Sequence, residues 1–201
     1  MTPADPQLAT LLWRLLGCAI LPLWLLAGLA DYIVHARTRI ERTSGVHESA
    51  LHLLQTAEIA VPMLALLFLE ATPPVLALAL AGAAAHTATA YRDIRYASPR
   101  RRITVFEQFV HAFLIVSPLA ALAVVAVLHW PAWRALLLPF AATPVDAGGA
   151  AWTLRWRDPA FAPSTLAMVL GASFLFGVVP GAVEFVRTLA ARRDEAPPPG
   201  R

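Results

Sequence analysis

The stretch HESALHLLQTAEIAVPMLALLFL, residues 47–69, decides the fold and carries the first functional signal. It is mostly apolar, and about 20 such residues are enough for a helix to cross a bilayer. Its first half nevertheless contains two histidines, two glutamates and a glutamine. Such groups are costly in hydrocarbon and persist there mainly when they are paired, bound to metal or facing water. The stretch therefore predicts a membrane-spanning helix with a functional polar end.

Four further apolar segments predict spanning helices over residues 11–34, 75–92, 103–128 and 164–189. The segment WPAWRALLLPF, residues 130–140, is too short to span and predicts an interfacial helix with tryptophans at headgroup level. The predicted fold is all-α, a polytopic membrane protein with a four-helix transmembrane core, a fifth transmembrane helix and an interfacial helix. Residues 1–190 are expected to form this single domain. The polar, proline-rich residues 191–201 are expected to be a disordered cytoplasmic tail.

All 16 basic residues are arginine, a composition that favours a GC-rich bacterial genome. Ten of them follow the first and third spans or lie in the C-terminal tail, and the turn after the second span has none. By the positive-inside rule, we expect a multi-pass protein of the bacterial inner membrane with its N-terminus outside and its C-terminus in the cytoplasm. The arginines are explained by these loops, and no nucleic-acid partner is expected. The single cysteine excludes a disulfide within the chain.

Acids and histidines recur at the same end of four predicted helices. Three carboxylate–histidine pairs with i,i+4 spacing lie on three of them: Asp31/His35, Glu48/His52 and Glu107/His111. This spacing places both side chains on one helix face. With a rise of about 1.5 Å per residue, the intramembrane histidines fall roughly 8–12 Å inside their helix ends. The predicted metal ligands are Asp31, His35, His47, Glu48, His52, Glu58, His86, Asp93, Glu107 and His111.

Imidazole and carboxylate together suit iron, manganese or zinc. The number of predicted ligands is about twice what one zinc ion needs, and helical bundles hold two ions when facing helices each supply such groups. We therefore predict a two-metal centre, with iron favoured and zinc or manganese as alternatives. Glu48 and Glu58 are the predicted catalytic carboxylates.

With these pairs, the chain resembles in plan the integral-membrane di-metal proteins, namely the alternative oxidases and the histidine-rich membrane hydroxylases and desaturases. The resemblance rests on the three i,i+4 pairs and covers roughly residues 31–111. The spacing here is ExxxH, whereas the oxidases use ExxH, and the HxxxH and HxxHH boxes of the hydroxylases and desaturases do not occur. The resemblance implies two irons, dioxygen, a lipid or quinone substrate and an electron donor, beside the membrane lipids. Whether the chain forms oligomers stays open.

Other functions are compatible with the same residues. A zinc hydrolase acting on a lipid amide or ester would use a metal-bound water as nucleophile. A metal-ion or proton transporter would have such groups along the whole membrane depth, and a b-type haem protein would use four of the histidines as axial ligands. HESALH differs from the HExxH protease motif, since its histidines are five residues apart and point about 140° apart on a helix.

Two groups of charged residues outside the predicted site are expected to have structural roles. Glu184 is expected to form an ion pair with Arg187, one turn later on the fifth span. Arg100, Arg101 and Arg102 are expected to enforce the topology, and binding of a lipid phosphate is an additional role open to them.

Overall fold

The computed structural model describes residues 5–137 and 152–194, which are mostly helical. Within these residues, five helices are long and apolar enough to cross a membrane, which confirms the all-α polytopic class. The helices are α1 (Pro6–Thr38), α2 (Gly45–Phe68), α3 (Pro73–Ala97), α4 (Val105–Leu128), the short α5 (Trp130–Leu137) and α6 (Pro163–Asp194). Each spanning helix begins and ends within a few residues of its predicted span. Many large apolar side chains remain exposed on these helices, as expected for surfaces that face lipid.

Local chemistry defines several helix ends. Asp5 caps α1, where its carboxylate accepts a hydrogen bond from a backbone N–H at 2.9 Å. The same helix stops at Arg39, which has a left-handed backbone with φ of 54°. A capping box begins α4: the Thr104 hydroxyl accepts from the N–H of Glu107, and the Glu107 carboxylate accepts from the N–H of Thr104. The capping box also holds this carboxylate at the start of α4.

The five spanning helices form a ring. Going round it, α1 contacts α4, α4 contacts α3, α3 contacts α2, α2 contacts α6, and α6 returns to α1. The fifth spanning helix therefore lies between α1 and α2 and is part of the bundle wall. Because chain direction alternates, the C-terminal ends of α1, α3 and α6 lie at the same end of the bundle as the N-terminal ends of α2 and α4.

Close packing of α2 against α3 depends on a glycine. A Cβ atom placed on Gly82 would lie 2.5 Å from the backbone oxygen of Glu58 and 2.8 Å from the ring of Pro62. Small residues of this kind allow helix backbones to approach closely in lipid. Elsewhere the bundle is less regular, with Pro118 inside α4 and π-helical turns at residues 16–20 of α1 and 174–178 of α6.

At the opposite end of the bundle, the segment before α6 lies against the turn between α2 and α3. The backbone N–H of Arg157 donates to the carbonyl of Phe68 at 2.8 Å, and that of Glu70 donates to the carbonyl of Arg155 at 3.0 Å. A short helix, α5, is present where the interfacial helix was predicted, and the last three residues of that prediction lie outside the described residues. Likewise, α6 continues through Asp194, so residues 191–194 of the predicted disordered tail are helical, whereas residues 195–201 are outside the described part.

Candidate metal centre

Acidic, imidazole and guanidinium side chains from all five spanning helices and one loop meet at one end of the bundle. We call this group the polar cluster: Asp31, His35, Glu48, His52, Asp93, Arg101, Glu107, His111 and Glu184. Its side chains are buried, and the most exposed of them, that of His52, is 15% accessible. Seven of the ten predicted ligands are in it, including both members of each i,i+4 pair. The spacing therefore predicted which helix faces meet.

Glu184 of α6 joins two of the histidines. Its Oε2 lies 2.9 Å from Nδ1 of His35, and its Oε1 lies 2.7 Å from Nδ1 of His52. The two imidazoles are stacked, with ring centroids 4.7 Å apart and planes 10° apart. Because an ionised carboxylate only accepts hydrogen bonds, both Nδ1–H groups donate to Glu184. The Nε2 atom of each ring also lies at hydrogen-bond distance from a carboxylate, Glu107 for His35 and Asp93 for His52, so a metal ion bound at Nε2 would take the place of a proton there.

The Nε2 atom of His35 faces three carboxylates. It lies 3.3 Å from Oε1 of Glu107, 3.5 Å from Oδ1 of Asp31 and 4.0 Å from Oε1 of Glu48. Asp31, His35, Glu107 and His111 each offer a ligand atom within 4.8 Å of the others. Ions such as zinc bind oxygen and nitrogen ligands at about 2.0–2.2 Å, so these four atoms could surround one ion after small movements.

The Nε2 atom of His52 faces a second candidate position. It lies 3.1 Å from Oδ2 of Asp93, beside a cavity of about 20 Å³ that is also lined by Asp31 and His111. This is roughly the space that one water molecule or ion requires. Oδ1 of Asp93 and Nδ1 of His111 are buried and have no hydrogen-bond partner among the described residues. Unpaired buried polar atoms are unfavourable, and a cation within reach of these side chains would satisfy the carboxylate oxygen.

Arg101, from the loop between α3 and α4, supplies the cluster's fixed positive charge. Its Nε lies 3.1 Å from both carboxylate oxygens of Glu48, and its Nη2 donates to Glu48 and to Glu107. Burial lowers the pKa of this guanidinium, but its two carboxylate partners more than offset burial and raise the pKa above its ordinary value. The side chain is 4% exposed. The sequence interpretation did not include Arg101 in the site, whereas the structure shows that its charge is used inside the bundle.

Two of the ten predicted ligands, both on α2, lie outside the polar cluster. The imidazole of His47 rests against the ring of Tyr96, with centroids 4.2 Å apart. The carboxylate of Glu58 accepts a hydrogen bond from the hydroxyl of Thr89 at 2.8 Å. The physical reason is the helix period: His47 and Glu58 share one stripe of α2, whereas the cluster is built on the neighbouring face that carries Glu48. His47 and His52 consequently do not converge as a protease-type pair.

His86 is the third predicted ligand that lies elsewhere. Its two ring nitrogens are each 3.2 Å from a backbone carbonyl oxygen, that of Gln55 on α2 and that of Leu114 on α4. The side chain is buried and lies between α2 and α4, where a neutral imidazole donates its single N–H to one of the two carbonyls. Its depth matched the other histidines, but the rotation of α3 directs Asp93, and not His86, to the cluster.

The sequence interpretation also missed Glu184 as a member of the site. Glu184 does not pair with Arg187, whose Nε lies 3.3 Å from a carboxylate oxygen of Glu41 in the loop after α1. Glu184 has no histidine one turn away, so no spacing pattern marked it. The one available signal was a solitary acid in an apolar span.

Comparison with known proteins adds no relative to this description. No protein-family model matches the chain, and searches of curated proteins and of solved structures return no significant match. The chemistry of the polar cluster therefore has to be inferred from its own geometry.

Proposed function

We propose that this chain is an integral-membrane metalloenzyme whose polar cluster holds two metal ions, iron being favoured, and which oxidises or hydroxylates a lipid-soluble substrate. The observation that carries the proposal is the excess of buried negative charge. Five carboxylates lie in the cluster, from Asp31, Glu48, Asp93, Glu107 and Glu184, against one guanidinium. With neutral imidazoles, the state that binds metal, the cluster has a net charge of −4, and with His35 and His52 both protonated it still has a net charge of −2. Uncompensated charge of this size is very costly in a buried site, and two divalent cations would balance it.

The donor types support iron or a similar ion. The set combines three imidazoles with carboxylates, which suits iron, manganese and zinc better than calcium or magnesium. The hydrogen bonds from His35 and His52 to Glu184 orient both rings with Nε2 toward the other ligands. Two redox-active ions held here would supply the electron transfer for oxidation by dioxygen. The protein residues would hold the ions, exclude bulk water and, through Arg101, balance part of the charge.

The surroundings support a substrate that arrives from lipid. The cluster lies inside a ring of helices whose outer faces are apolar. The loops at its end carry most of the arginines, and by the positive-inside rule this supports a position of the cluster near the cytoplasmic face of a bacterial inner membrane.

Metal analysis of the purified chain tests the proposal. We expect two metal ions per chain in the wild type, and loss of both in the double variant His52→Ala, His111→Ala. His47→Ala is the matched control, because it removes an imidazole from α2 outside the cluster and should leave the metal content unchanged. Wild-type protein without stoichiometric metal after expression and reconstitution with iron, manganese or zinc would refute the proposal. The same holds if the double variant retains full metal content.

The metal that is found decides the reaction class. Iron with substrate-dependent oxygen consumption supports the oxidase or hydroxylase function. Zinc at the same stoichiometry, with no visible absorption and no oxygen consumption, would favour the lipid amide or ester hydrolase instead.

A further inference from the structure

Two cavities, one in the apolar middle of the bundle and one beside the polar cluster, have Trp24 as a common lining residue. The larger has a volume of about 320 Å³ and lies between all five spanning helices. We call it the apolar chamber. Its walls include Ile20, Ile59, Ala83, Leu122 and Val169, one from each spanning helix. The smaller cavity, of about 90 Å³, is lined by Asp31, His52 and Glu184 of the cluster.

Trp24 of α1 lines both cavities and so lies between them. Its indole Nε1 is buried and has no hydrogen-bond partner among the described residues. The same is true of Nε2 of Gln55, which lines the smaller cavity and also the ion-sized cavity next to Asp93. Both groups are donors, and an unpaired buried donor is unfavourable. An oxygen-containing ligand in the smaller cavity would supply the missing acceptors beside the polar cluster.

From these cavities we infer that the site binds an amphiphile with a single apolar chain and an uncharged oxygen-containing head. The chain lies in the apolar chamber, and the head passes Trp24 to reach Gln55 and the cluster. Binding of the amphiphile is inferred from the cavities alone, and only its role as the substrate rests on the proposed function.

An uncharged head follows from the lining of the smaller cavity. Arginine is absent from its described lining residues, and the cluster's own Arg101 is bound to Glu48 and Glu107. A carboxylate or phosphate head would be desolvated there next to Asp31 and Glu184, and the charge of cations bound in the cluster is already balanced by the cluster's own carboxylates. A hydroxyl, carbonyl or ester oxygen needs only the two neutral donors.

Photo-crosslinking of the full chain in liposomes tests the inference. The probes are a dodecan-1-ol, a dodecanoate and a dodecane, each with a diazirine on the chain, and labelled peptides are identified by mass spectrometry. We expect the alcohol to label the chamber walls more strongly than the carboxylate. Ala83→Leu, which fills the chamber, should reduce this labelling at least about fivefold. The matched control Ala84→Leu, exposed on the same helix, should not change it.

Ala121→Leu fills the chamber from α4, with exposed Ala123→Leu as its control, and replaces the first pair if Ala83→Leu does not fold. The head is tested separately. Gln55→Leu and Trp24→Phe should lower labelling by the alcohol about 2- to 10-fold and leave labelling by the alkane unchanged.

Equal labelling of the filled and control variants would overturn the inference. If the alcohol and the alkane respond alike to Gln55→Leu, the chamber holds only bilayer acyl chains and the assigned head is wrong. Metal content is measured in the same samples, which separates the two proposals. Labelling with no metal refutes the metal centre and leaves the chamber, whereas metal with no chamber labelling refutes only the chamber.

Discussion

Replacing Arg101 by glutamine tests whether the polar cluster is an acidic site that requires cations. The guanidinium is almost fully buried and binds two carboxylates, those of Glu48 and Glu107, which are themselves 0% exposed. Its removal changes the charge of the metal-free cluster from −4 to −5, when the imidazoles are neutral. Breaking a buried ion pair by removing one partner costs about 3–5 kcal/mol. We expect Arg101→Gln to lower the free energy of unfolding by that amount in chelator.

Added metal should reverse much of this loss of unfolding free energy, because the more negative cluster of Arg101→Gln attracts a cation more strongly than that of Arg102→Gln. A cation that binds only the folded state stabilises it by about 2.7 kcal/mol at a concentration 100 times its dissociation constant. Unfolding would be followed in detergent micelles with chelator and with Mn²⁺, which avoids iron oxidation. The control is Arg102→Gln, since Arg102 is the next residue and is exposed. If Arg101→Gln and Arg102→Gln are equally stable in chelator, or if Mn²⁺ does not narrow their difference, the electrostatic reasoning is wrong.

Three further predictions concern separate features. Glu184→Gln weakens the acceptor that orients two imidazoles and should lower metal affinity about 10- to 100-fold in a metal titration, while exposed Asp194→Asn should have no effect. Gly82→Ala should destabilise the fold by about 1–3 kcal/mol, because its Cβ meets a backbone oxygen of the facing helix. Gly171→Ala, with open space around it, is the control and should not destabilise the fold. Equal unfolding free energies of the two variants would contradict this packing argument. Burial, and to a smaller extent the guanidinium of Arg157, lowers the pKa of His129 from 6.5 to about 4. The unfolded chain therefore binds this proton more readily, so the contribution of His129 to stability is present above pH 6.5 and is lost as the pH falls toward 4. The difference in unfolding free energy between wild type and His129→Asn, measured across this pH range, gives this contribution. A difference that does not change with pH would contradict the shift.

Local hydrogen bonds and an ion pair explain why the site is restricted to one end of the bundle. Within the described residues, acids and histidines nearer the middle or the opposite end are held by local partners. Glu58 accepts from a hydroxyl, His86 lies between two carbonyls, and Glu70 forms an ion pair with Arg155 at 2.8 Å. Among the described residues, the acids and imidazoles that contact one another therefore lie at one end of the bundle.

Much of the architecture could be read from local properties of the chain. The length and hydropathy of five segments predicted the spanning helices, because a helix in lipid must satisfy its backbone within itself and needs about 20 apolar residues to cross. The i,i+4 spacing predicted that each carboxylate would share a face with its histidine, because that spacing follows from the helix period alone. The six residues of the three pairs all lie in the polar cluster, as expected.

Tertiary structure alone decided which other side chains reach the site. The rotation of α3 directs Asp93 inward and leaves His86 between carbonyls, and the position of α6 between α1 and α2 brings Glu184 to the two stacked histidines. Arg101 enters because its loop folds back over the end of the bundle. Helix rotation and the order of helices around the ring depend on packing between residues far apart in sequence, and no local spacing encodes them.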